Sequence, residues 1–178
     1  YDEHAHIFSV TALDNILMKN GLKIFRVDNL SVHGGSNRVY VSHLPSHTFL
    51  RNRPVEPSVR ENLQKEDDFG LNEFKTYQEF AKRVEKSKND LVDLLVKLKN
   101  DGKRVMSIGA TAKSTTVFNY CGIGAAPWQT DLIELITDTT KDKQEKYSPG
   151  SHIPVVDREL VNINDYDYAF LGAWNLKD

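Results

Sequence analysis

Apolar positions fall into short, separated patterns along the 178-residue chain. A helix is predicted from Thr11 or Asp14 through Ile16, Leu17 and Met18, stopping at Asn20-Gly21, where the left-handed backbone that ends a helix is tolerated. Lys23 to Leu30 sets Ile24, Phe25 and Val27 among polar neighbours, and Asn37 to His43 alternates again through Val39 and Val41. Two strands joined by a turn at Gly34-Gly35 are expected. A helix with two strands buries too little surface to stand alone, so residues 1–45 should close a larger sheet.

Pro45, Pro54 and Pro57 punctuate a polar stretch that runs into the charged segment Arg60 to Asp68, which predicts a linker over 46–70. From about Asn72 to Asp101 the stripe Phe74, Tyr77, Ala81, Val84, Leu91, Leu95 and Leu98 predicts one long helix stopped by Gly102. Such a stripe covers a sheet or, alternatively, a partner helix. Beyond Gly102 a strand at Arg104–Ile108, a helix at Thr111–Tyr120, a strand at Leu132–Thr137 and extended segments at Ile153–Val156 and Tyr168–Trp174 follow one another. That alternation favours an α/β domain with a parallel sheet and helical crossovers.

Charge and composition then narrow the function classes. Lys and Arg total 23 against 25 Asp and Glu, a net charge of −2, which removes the electrostatic reason to expect nucleic acid or an anionic membrane as partner. No apolar run approaches the roughly 20 residues that span a bilayer. Cys121 is the single cysteine; it excludes an internal disulfide and a cysteine-rich zinc site, and fits a reducing cytoplasm. The chain opens at Tyr1 within a polar run and closes straight after a strand-like segment, as expected of a piece of a longer protein.

Several runs can carry chemistry. Tyr1-Asp2-Glu3-His4-Ala5-His6 concentrates ionisable groups: a histidine suits general-base work near neutral pH, a carboxylate orients it, and a tyrosine donates to a developing oxyanion. A solvated tail explains the same composition. Zinc fits poorly, because two histidines one residue apart diverge on a strand and no third ligand is implied. In His33-Gly34-Gly35-Ser36 with Arg38, paired glycines let backbone N–H groups approach a ligand, though a hairpin turn needs them equally.

Ser107 to Ser114 lies where a strand passes into a helix, a place suited to an anion. Lys113, Ser114 and Thr115 are the candidate contacts. A phosphate-binding G-x-x-x-x-G-K-[ST] loop is excluded, since Ser107 and Ala112 hold both glycine positions, and no G-x-G-x-x-G fingerprint occurs. A diphosphate contact survives beside the plainer reading of a lysine stem covering a helix end. Pro149 to Pro154, with His152, is a rigid loop entering a strand and preceded by Lys141, Lys143, Gln144 and Lys146. It can carry ligand contacts or merely set a turn, and Asn119 and Trp174-Asn175 divide the same way. Cys121 reads as a small buried residue rather than a nucleophile.

Taken in order, these runs resemble the C-terminal part of the S-adenosylmethionine-dependent sugar C-methyltransferases of deoxysugar biosynthesis. The resemblance rests on Tyr1–His4 with Phe8-Ser9, His33–Tyr40, Gly109–Thr116, Asn119–Ile123, Lys143-Gln144, Pro149–Pro154 and Ala173–Asn175, and is weakest between about Ser46 and Asp90. It implies that 1–45 ends an S-adenosylmethionine-binding domain, and that 71–178 is a Rossmann-like C-terminal domain. The cofactor is then bound mainly upstream, and zinc belongs only to an N-terminal module outside this chain. It further implies a nucleotide-linked keto-deoxysugar substrate, with His4 as base and Tyr1 and Glu3 in support. His33, Ser36, Arg38, Lys113, Ser114, Thr115, Asn119, Lys143 and His152 would bind that substrate, with His152 on the same wall of the cleft as Lys113. Asp2, Ser107 and Ser114 depart from the family pattern, which commonly has histidine at the first and glycine at the other two. These 178 residues alone are expected to be inactive. The rival reading is a non-catalytic module that binds a nucleotide-sugar or another anion.

Overall fold

The computed structural model describes residues 6–44, 54–124, 131–172 and 174, the side chain of His33 excepted. The chain divides into two compact units, Tyr1–Phe80 and Ala81–Asp178.

In the first unit, helix α1 (Val10–Lys19) precedes the antiparallel strands β1 (Leu22–Leu30) and β2 (Ser36–His43), and helix α2 (Pro57–Asp68) follows. Helix α1 starts earlier than its apolar spacing predicts, because its cap is Ser9. The N–H groups of Val10, Thr11 and Ala12, which the helix cannot satisfy internally, all have acceptors. Val10 and Thr11 donate to the two oxygens of Glu66, each at 2.7 Å, while Ala12 donates to the Ser9 hydroxyl and Leu13 to the Ser9 carbonyl. Replacing Glu66 by alanine should therefore cost about 2 kcal/mol and expose the Val10 and Thr11 amides to hydrogen exchange, with glutamine restoring part of both. Unchanged protection at these two amides would contradict the clamp.

Glu66 sits in the stretch expected to be linker, and here the expectation is corrected. Pro57 is not loop punctuation but the first-turn proline of α2, a position where its missing N–H costs nothing. Val59 packs with Val10, Ile24 and Val27 in one apolar cluster. The start of α2 also closes one edge of β1: Glu56 donates its N–H to the Phe25 carbonyl at 2.8 Å, and the Ser58 hydroxyl accepts from Val27 at 3.2 Å.

Helix α3 (Phe74–Asn100) continues from the first unit into the second. Its expected stripe covers a sheet only from Leu91 onward: Leu95 is buried and Leu91 and Leu98 pack on the core, whereas Phe74 is 76% exposed. Length explains the correction. The helix runs to about 40 Å, while the four-residue strands it meets are only about 13 Å long.

The second unit holds β3 (Val105–Ile108), α4 (Ala112–Cys121), β4 (Ile136–Asp138), β5 (Lys146–Tyr147), β6 (Pro154–Asp157) and β7 (Tyr168–Leu171). Their spatial order is β5-β6-β4-β3-β7, with β6, β4, β3 and β7 parallel and short β5 antiparallel on the edge. The strand expected over Leu132–Thr137 begins only at Ile136; Leu132 and Ile133 are buried as core instead. The last strand ends at Leu171 rather than Trp174. Val105, Ile136, Ile153 and Val155 form the core with Leu95 of α3 and Phe118 of α4, and the Phe170 ring packs at a tilt against Phe118, 5.1 Å between centroids. This is a Rossmann-like α/β domain. Among the described residues no helix is long and apolar enough to cross a membrane.

Candidate functional site

The strand order of the second unit singles out one place. From β3 the chain steps outward to β4 and β6, then returns to lay β7 on the other flank of β3. Open parallel sheets bind ligands at the carboxyl ends of the two strands where the order reverses, here β3 and β7.

At that end Gly109 turns the chain with a left-handed φ of 90°, and Thr111 caps α4. Thr111 and Ser114 form a reciprocal capping box: the Ser114 N–H donates to the Thr111 hydroxyl at 3.1 Å, and the Thr111 N–H to the Ser114 hydroxyl at 3.0 Å. Ser114 is buried, and its hydroxyl also donates to the Thr111 carbonyl at 2.9 Å. It therefore serves the cap rather than a ligand. The expected anion nest is filled further by Asp138, at the end of β4. Its side chain is 9% exposed and accepts from the Ala110 N–H at 2.8 Å and the Thr140 N–H at 2.8 Å. Burial alone would raise this carboxyl, but the hydrogen bonds from Thr140 and Ala110 and the Lys143 charge outweigh it and hold it below the usual range. Lys143 is drawn to the same spot, donating to the Ala110 carbonyl at 2.8 Å with Asp138 at 3.5 Å.

Strand β7 meets β3 in close contact. The Thr111 hydroxyl donates to the Gly172 carbonyl at 2.9 Å, and a Cβ on Gly172 would lie 2.4 Å from the Gly109 carbonyl oxygen. Just beyond, Trp174 is 52% exposed, and the Lys113 ammonium lies 5.3 Å from its ring centroid. Lys113, Ser114, Thr115 and Lys143 thus share one end of the sheet.

Asn119 and His152 lie at the opposite end. A loop that follows a parallel strand and a loop that precedes one open on opposite edges; Lys113 follows β3, whereas His152 precedes β6. The expectation of one common wall is corrected on that ground. Asn119 instead ties α4 to the loop, donating to the Thr115 and Pro149 carbonyls at 2.8 and 2.9 Å. It lies so close to Gly150 that a Cβ there would meet its amide oxygen at 2.0 Å. His152 is exposed with a left-handed φ of 53°, its N–H donating to the Ser148 carbonyl at 2.9 Å.

In the first unit Tyr1, Glu3 and His4 lie outside the described residues, as does the side chain of His33. A cavity of about 500 Å³ opens between the chain entering α1 and the end of the hairpin, lined by Ile7, Phe8, Asn29, Ser36 and Asn37 among others. Ser36 donates to the Val32 carbonyl at 3.2 Å. Arg38 is exposed and pairs across the strands with Asp28, which the Arg26 guanidinium grips at 2.7 and 3.0 Å. Arg26 and then Tyr40 hold the Asp28 carboxyl below its usual range. Sequence reasoning missed this trio and Asp138. An arginine and an aspartate two apart on a strand, and an acid closing an apolar strand, were the available signals. No group of three or more metal-ligating side chains occurs among the described residues.

Comparison with known proteins adds two findings. A family model described as the C-methyltransferase C-terminal domain matches residues 31–178. The C-methyltransferase NovU of Streptomyces niveus is 34% identical over 175 residues, which cover 98% of this chain and 39% of NovU. The chain spans about two fifths of the length of that curated relative.

Proposed function

The chain belongs to the C-methyltransferase family, and on that premise we propose that it is the C-terminal part of a cytoplasmic S-adenosylmethionine-dependent enzyme that methylates carbon on a nucleotide-linked keto-deoxysugar. The observation that carries this reading is the reversal of strand order at β3 and β7, with Lys113 and Trp174 at its mouth.

Each unit has its own part. The second unit holds the nucleotide end of the substrate, with Lys113 pairing with the diphosphate. Because the capping box and Asp138 take the N–H groups of Ala110, Thr111 and Ser114, a side-chain cation must supply the charge there. The first unit supplies the base. Neutral His4 takes the proton from the carbon beside the ketone, Glu3 orients the ring, and Tyr1 donates to the oxygen as it gains charge. The enolate carbon so formed is the methyl acceptor.

S-adenosylmethionine supplies an electrophilic methyl, and the Gly172 turn of the second unit does not fit it. At Gly172 the space a side chain would take is filled by the Gly109 carbonyl rather than left open, and a G-x-G-x-x-G loop does not occur in the sequence. In this reading it is bound mainly by the domain that the family resemblance places upstream.

Calorimetric titration with dTDP tests the nucleotide half of the reading. Wild type should bind, and Lys113→Ala should bind about tenfold more weakly, the scale of one lost charge-assisted hydrogen bond. Equal affinity in the two proteins would remove Lys113 from the site.

A further inference from the structure

We infer that Trp174 is the platform on which the planar base of the nucleotide stacks while Lys113 pairs with its phosphate, an inference that rests on the reading above. Three observations carry it. Trp174 follows β7 by three residues, at the end of the sheet where the strand order reverses. It is 52% exposed, although an indole has a large apolar body and is normally found covered by a core or by a partner. The Lys113 ammonium lies over its ring, 5.3 Å from the centroid, so the cation already rests on one face of the indole and a stacked base takes the remaining exposed surface.

The rest of this end narrows the assignment. Lys143 is committed to Asp138 and the Ala110 carbonyl, and Ser114 to the cap. Asp138 would repel an anion placed against the α4 start itself. A ligand approaching here meets the Lys113 ammonium together with the Trp174 ring it lies over. Inorganic phosphate satisfies only the first. A nucleoside diphosphate carries an anion and an aromatic ring a few bonds apart and satisfies both. Every base has a π-face, so the platform supplies affinity without selecting the base.

The test compares dTDP with inorganic pyrophosphate on wild type, Trp174→Ala, Trp174→Phe and Lys113→Ala, by calorimetry. Trp174→Ala should weaken dTDP about tenfold to a hundredfold and leave pyrophosphate unchanged, while Lys113→Ala weakens both. Trp174→Phe keeps an aromatic face and should recover most of the dTDP affinity; it also serves should the alanine variant unfold. Wild-type affinity for dTDP in Trp174→Ala, or a Trp174→Phe variant that melts normally yet loses dTDP altogether, overturns the stacking role alone. Absence of dTDP binding by wild type overturns the nucleotide reading itself.

Discussion

Replacing His4 by glutamine in the full-length protein should lower kcat by about a hundredfold to ten-thousandfold, the range a positioned general base contributes, and leave dTDP affinity unchanged. Glutamine keeps the size and a hydrogen-bonding end but cannot take a proton at neutral pH. The separation follows from the division of labour proposed above, in which the base belongs to the first unit and the nucleotide contact to the second. Because the neutral imidazole is the active form, the wild-type rate should fall as acid protonates it. A second readout isolates the proton step. With substrate but no methyl donor, wild type should exchange the proton beside the ketone for deuterium from solvent, and His4→Gln should not. A variant that exchanges as fast as wild type would transfer the role to another group.

What the sequence made legible depends on how local each feature is. Short apolar patterns read β1, β2 and β3 closely because Ile24, Val27 and Val39 pack in one cluster and Val105 in another, Ile24 and Val27 sharing theirs through a bulge between Ile24 and Arg26. The helix expected to end at Tyr120 runs one residue further, to Cys121, and stops at Gly122 with its φ of 66°. Helix α2 was not legible in this way. In a segment so rich in charge, only Val59 and Asn62 are buried, so no apolar stripe advertises it, and Pro57 alone carried the signal. The start of α1 was hidden for a different reason: its acceptor, Glu66, lies 56 residues from Val10. The site shows the same split. Strand followed by helix placed Lys113 at a sheet end without any coordinates. Which other loops share that end is a question of topology, and His152 was misplaced because its loop leads into a strand rather than out of one. Asp138, which closes much of the anion nest, acts from the end of a different strand.

Gly172→Ala should destabilise the second unit by about 3 kcal/mol, at the upper end of the range for overpacking, and lower its melting temperature by roughly 15 °C. The added Cβ would sit 2.4 Å from the Gly109 carbonyl oxygen, 3.0 Å from that of Ile108 and 3.1 Å from the Ser114 Cβ. The first two neighbours are backbone and cannot rotate away, so β7 must separate from β3, straining the bonds from Gly172 N–H to Ile108 and from Thr111 to the Gly172 carbonyl. Gly122→Ala provides the contrast. A Cβ there meets nothing within 4 Å, but the backbone is left-handed at φ +66°, a conformation that costs an ordinary residue about 1–2 kcal/mol. One glycine is required for space and the other for backbone conformation, so the loss at Gly172 should exceed that at Gly122. The variants should also part at the ligand site. Gly172→Ala shifts the strand that carries Trp174 and should weaken dTDP binding, whereas Gly122→Ala, at the far end of α4, should not. Equal stabilities in the two variants would mean that β3 and β7 do not meet as closely as described, and the place assigned to the nucleotide would fall with that contact.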